Sequence, residues 1–140
     1  MEHLDSSMEE WKSAFLSQPD ETFFYIIKNY LGPVSTPYNK HTLLNELVAY
    51  FSRPRITERV LTLLDDTDKR ILTAVYFLSG PSLTSLYSLF REDFTYLELH
   101  NRLINLEERL LLYQKAVSQG TRKKDAAKIS ITPFFINILY

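Results

Sequence analysis

Apolar residues recur at three- and four-residue spacing along most of the chain, the period of a helix that buries one face. Trp11, Phe15 and Leu16 form the first such stripe, and Gln18-Pro19 stops it. Ser7 and Glu10 stand ahead of the stripe as an S-x-x-E pair, in which each side chain can satisfy the other's free amide. A short helix is therefore expected after Ser7. A second helix, with Asp20 as its cap, carries Phe23, Phe24, Ile26, Ile27, Tyr30 and Leu31 and ends at Gly32-Pro33. Val34 to Asn39 reads as a tight connector. Asn39 caps a third helix with Leu43, Leu44, Leu47, Val48 and Phe51 inward, and Arg53-Pro54 breaks it. A fourth helix from Pro54 gathers Ile56, Val60, Leu61, Leu63 and Leu64, leaving Arg53, Arg55 and Arg59 on its outer side.

The second half changes rhythm. Asp65 or Asp66 caps a helix through Phe77, with Ile71, Leu72, Val75 and Tyr76 inward, and Gly80-Pro81 ends it. Ser82 to Phe90 predicts a short helix with Leu83, Leu86, Leu89 and Phe90 on one side. After a turn over 91–94, Thr95 and Glu98 make a T-x-x-E capping box, opening a helix to about Arg109 whose buried stripe is Leu99, Leu103 and Leu106. Period two then replaces the helical period. Leu110 to Lys115 and Lys128 to Thr132 predict two strands joined by the polar loop 116–127, and Thr132-Pro133 restarts a helix with Pro at its favoured first position.

The expectation is a mainly α chain. An N-terminal helical lobe, 1–64, is followed by a unit, 65–140, that contains a small two-stranded hairpin, the two packed together. At 140 residues such a chain buries enough surface to need no staple. Zero Cys removes disulfides, thiolate zinc sites and Cys nucleophiles, and three Gly leave little material for a phosphate loop. The first ten residues are acidic, the reverse of a signal peptide, and no apolar run approaches the ~20 residues of a membrane span. A cytoplasmic protein with no membrane contact is expected.

Helix, short helix, turn, helix and hairpin, in that order over residues 65–135, resemble the winged helix-turn-helix family. Asn105-Leu106-Glu107-Glu108-Arg109-Leu110-Leu111-Leu112 is similar to the end of that family's third helix. Ile129-Ser130-Ile131-Thr132-Pro133 resembles its second wing strand running into the next helix, a Thr-Pro junction of MarR-like members. The chain departs from the family at Leu110, where Gly is common, so a residue with a side chain must turn the corner from helix to strand. Residues 39–80, with Leu64-Asp65-Asp66-Thr67-Asp68-Lys69-Arg70-Ile71-Leu72, are more distantly similar to the helical region preceding the motor of bacterial xeroderma-pigmentosum-B-type helicases. No helicase motor motif occurs in the sequence.

The winged-helix resemblance implies a non-catalytic binding module. For double-stranded DNA it implies Thr95, Tyr96, Asn101, Arg102 and Asn105 in the groove, with Asn and Arg reading base edges, and Arg122, Lys123 and Lys124 of the wing at phosphate. Charge argues both ways. The wing carries five basic residues between 115 and 128 against Asp125, whereas 91–109 holds three arginines against five carboxylates. The alternative is a protein-docking or assembly domain, with Tyr87, Tyr96 and Tyr113 as its exposed aromatics. Its partner would be another protein or the remainder of a longer chain of its own. The apolar end, Phe134 to Tyr140, is expected to be covered by such a remainder or in a homodimer.

Catalysis is not expected. His3, His41 and His100 lie far apart, and no hydrolase, nucleotide-binding or zinc-protease motif is present. Asp65, Asp66 and Asp68 suit a helix N-terminus better than a metal site, and neither cofactor nor metal is expected.

Overall fold

Side-chain capping sets four of the helix starts in the computed structural model, which describes residues 2–35, 37–115 and 127–139, the side chains of residues 2–5 and of Asn137 excepted. Asn39 Oδ1 accepts the amides of His41 and Thr42 and opens α3 (Lys40–Phe51). Asp65 and Asp68 exchange bonds as a capping box at the start of α5 (Asp66–Leu78), and Thr95 and Glu98 do so at α7 (Tyr96–Glu108). Ser82 caps α6 (Leu83–Phe90), while α4 (Pro54–Thr62) starts on Pro54. Two expected caps are absent. The first helix, α1 (Glu2–Leu16), begins five residues before Ser7, so Ser7 and Glu10 lie within it. In α2 (Asp20–Leu31) the capping position is Pro19, and Asp20 instead accepts a hydrogen bond from Lys40 Nζ on α3.

Strands β1 (Leu112–Lys115) and β2 (Lys128–Ile131) pair antiparallel, with Leu112 opposite Ile131 and Lys115 opposite Lys128. The last helix, α8 (Pro133–Leu139), follows at once. The chain is thus mainly helical, with a small two-stranded sheet. A further backbone bond ties the hairpin to the α5–α6 connection, where Ile129 N–H donates to Pro81 O at 2.9 Å.

The corner between α7 and β1 carries the one departure from ordinary backbone that the sequence anticipated. Leu110 has φ +62°, a left-handed conformation that costs a side-chain-bearing residue roughly 1–2 kcal/mol. Its side chain is only 2% exposed, and burying a leucine stabilises by about 1.5–3 kcal/mol. Glycine would avoid the strain but forfeit that burial. The corner's carbonyl is satisfied from the far strand, where the buried Thr132 hydroxyl donates to Leu110 O at 2.7 Å. Thr132 N–H donates to Leu111 O at 3.0 Å, after the strand ladder has ended at Ile131. Threonine suits this position because it fits a buried site and carries a donor.

One apolar core runs across residue 64. Trp11 of α1 lies 4.9 Å, edge to face, from Phe134 of α8, and Phe51 of α3 stacks on Phe134 at 5.1 Å. Phe15 and Phe23 join α1 to α2 at 5.0 Å. On the sheet side, Tyr113 Oη and Lys115 Nζ of β1 both donate to the Glu10 carboxylate of α1, at 2.7 and 2.8 Å. Tyr113 is therefore buried, not an exposed aromatic. Three residues expected inside, Leu63, Tyr76 and Leu89, are on the surface; α4 ends at Thr62, so Leu63 falls at its C-terminal cap and off the inward stripe. No described helix is long and apolar enough to cross a membrane.

Replacing Thr132 by valine keeps the shape and removes the donor, leaving the buried Leu110 carbonyl unpaired. Urea denaturation should show a loss of about 1–3 kcal/mol. Thr132→Ser should lose less, because it retains the hydroxyl.

Candidate functional site

The face of α7 is shaped by what its arginines do. Asp68, on the first turn of α5, has a side chain only 5% exposed and accepts from three donors. The Asp65 amide bonds Oδ2 at 3.2 Å within the capping box. Arg109 Nη2, at the C-terminal cap of α7, bonds Oδ2 at 3.0 Å, and Arg102 Nη1 approaches Oδ1 at 3.4 Å. Arg102 Nη1 also donates to Asp65 Oδ2 at 3.0 Å. The amide of Asp68 and the Arg102 guanidinium hold the Asp65 carboxyl below its usual range. Both arginines are thereby bound to the start of α5.

Arg102, expected to read bases, is half-buried and engaged in this cluster. The Thr95 hydroxyl accepts the Glu98 amide at 3.1 Å, so it serves the helix cap. Tyr96 is exposed, with its ring edge-on to half-buried Tyr87 at 5.3 Å. Asn101 and Asn105 are exposed one turn apart on the outer face of α7. Arg122, Lys123 and Lys124 lie outside the described residues. Of the basic residues flanking the wing, Lys115 is paired to Glu10, while Lys128 is exposed.

The outer face of α7 carries apolar side chains that the sequence reading passed over. Leu97 is 65% exposed, and Ile104, two turns on, is also exposed. With Leu83, Tyr96, His100 and Ile129 they line an open groove of about 420 Å3 between α6, α7 and β2. Their signal was present: Leu97 and Ile104 lie seven apart and off the buried stripe of Leu99, Leu103 and Leu106. A second apolar surface lies between α5 and α6, where Phe77 (74% exposed), Leu78 and Leu89 are bordered by Lys69 and Arg70. Arg70 is paired with Asp93 at 3.1 Å. Among the described residues no group of three His, Asp or Glu side chains is arranged to hold a metal ion.

Residues 1–52 match a family model, TP_0021_N, described as an N-terminal domain. The match covers α1 to α3 and ends at Ser52, the C-terminal cap of α3. No curated protein and no solved structure matches the chain.

Asp68→Asn removes the charge that faces two guanidinium groups and leaves Arg109 short of its partner. Breaking a fully buried ion pair costs about 3–5 kcal/mol, and the partial exposure of both arginines lowers the expected loss to about 2–3 kcal/mol, measured by urea denaturation. Arg102→Ala should also destabilise, with a pH signature. A carboxyl whose folded pKa is lowered contributes stability above its unfolded pKa and loses it as pH falls through the folded one. The gap between Arg102→Ala and the wild-type protein should therefore be full at pH 7 and close as pH falls below 3.8, the ordinary value for Asp65.

Proposed function

We propose that residues 65–140 form a winged helix-turn-helix and that this protein is a non-catalytic docking module. Its partner is a polypeptide that lays apolar side chains along the outer face of α7. The order α5, α6, α7, β1, β2 supports the winged reading, and so does the Ile129–Pro81 backbone bond, which gives the hairpin a third backbone neighbour. The observation that carries the docking reading is the exchange of chemistry on α7. Leu97 and Ile104 face outward, while Arg102 and Arg109 are turned onto Asp65 and Asp68. A helix entering a DNA groove needs cations free to meet phosphate. A partner chain instead gains affinity from exposed apolar anchors.

DNA contact remains the second reading, favoured by one observation. Asn101 and Asn105 present side-chain amides that no described residue occupies, at a spacing that reaches neighbouring base pairs. In that mode Tyr96 joins them in the groove, Thr95 supports the helix start, and Arg122, Lys123 and Lys124 meet phosphate.

Two measurements separate the readings. A photo-crosslinking amino acid at Leu97 in the full-length protein, expressed in its native cell, should yield a discrete polypeptide adduct. The same group at exposed Glu58 should not, and Ile104→Asp should abolish the Leu97 adduct. Fluorescence anisotropy with a labelled mixed-sequence duplex should show no steeply salt-dependent binding. If the duplex binds, with log affinity falling linearly in log salt and flattening when Arg122, Lys123 and Lys124 become alanine, the DNA reading replaces docking.

A further inference from the structure

Three large apolar side chains stand in water between α5 and α6. Phe77, Leu78 and Leu89 are 74%, 47% and 57% exposed, and they line one open groove of about 560 Å3. A contiguous patch of this kind marks a contact surface, which a single exposed leucine does not. The polar wall of the groove is Lys69, Arg70 and Thr73, and no carboxylate lines it among the described residues. Arg70 is committed within the chain: its guanidinium lies 5.5 Å from the centre of the Phe90 ring and bonds Asp93 at 3.1 Å. The Lys69 ammonium pairs with no carboxylate among the described residues. An occupant must therefore bring apolar side chains and a single group suited to an ammonium. An acidic peptide, which needs several free cations, does not match that demand.

Spacing along α5 supplies an occupant that does. Lys69, Thr73 and Phe77 stand four residues apart on one exposed stripe, with Thr73 midway. Phe77 is thus about 12 Å along the helix from Lys69. When two such stripes pack antiparallel about a two-fold axis at Thr73, the aromatic end of each lies against the basic end of the other. Each Phe77 ring then enters the other copy's groove at its Lys69 end, where an ammonium and a ring attract. The two Lys69 charges stay about 12 Å apart along the axis, beyond the ~8–10 Å screening length at ordinary salt. Parallel packing would set Lys69 against Lys69.

We propose that this surface joins two copies of the chain through antiparallel α5 helices, each Phe77 seated between α5 and α6 of the other copy. The surface is one helix face wide, at or below the ~1,200 Å2 total of the smallest specific interfaces, so a Kd of about 10–300 μM is expected. It shares no lining residue with the groove on α7, so the two surfaces are separable by mutation.

Sedimentation equilibrium of the full chain from about 10 μM to 1 mM should show monomer and dimer exchanging with that constant. Phe77→Lys should stay monomeric throughout, while its melting temperature in dilute solution stays within about 3 °C of wild type, as suits an exposed position. Ile104→Asp, on α7, should dimerise as wild type does. The chain has no cysteine, so Thr73→Cys places a single thiol at the two-fold axis, and mild oxidation should link it to a second copy of itself. Glu58→Cys, on α4, should not link. A monomer at about 1 mM would assign the patch to a different polypeptide and overturn the proposal. Association that survives Phe77→Lys, association lost in Ile104→Asp, or equal linkage of the two cysteine variants would each overturn it as well.

Discussion

A carboxylate with little access to water must be surrounded by donors, and the placement of Asp68 follows from that requirement. It sits on the first turn of α5, where its capping bond to the Asp65 amide is local. The remaining demand is met by guanidinium groups from α7, 34 and 41 residues further along the chain. This fixes how α7 lies against α5. It also fixes the character of the opposite face of α7, since an arginine turned inward cannot serve outside. The docking reading is thus partly a consequence of an internal need. Whether the cluster adds net stability is a separate matter, because desolvating three charges offsets much of what their attraction returns.

What could be read in the sequence was local. Asn39, Asp65 and Thr95 act within three residues of themselves, and each caps its helix as the pattern implies, while Ser82, read as the first residue of its helix, is that helix's cap. The corner at Leu110 was legible because a missing glycine is a local fact with a backbone consequence. Failures occurred where a distant partner decided the outcome. Asp20 bonds Lys40 instead of capping α2, and Glu10 receives Tyr113 and Lys115 from β1 instead of closing a box with Ser7. Leu63, Tyr76 and Leu89 fit an inward stripe by spacing alone, yet each lies on the surface.

The same limit applies to the candidate sites. Tyr96, Asn101 and Asn105 on α7 and Thr95 at its cap are exposed, as expected from the winged-helix resemblance, whereas Arg102 is drawn away by Asp65 and Asp68, which no local pattern reveals.

The aromatic contacts between Trp11, Phe51 and Phe134 bear on how the chain is made. During synthesis the N-terminal helices emerge first, with Trp11 and Phe51 present and their partner on α8 still to be translated. The apolar side of α1 also awaits β1. At typical elongation rates of about 5–20 residues per second, that interval lasts several seconds. The segment that matches a family on its own is therefore one whose core closes last, and in a cell it passes through a stage with its aromatic surface uncovered.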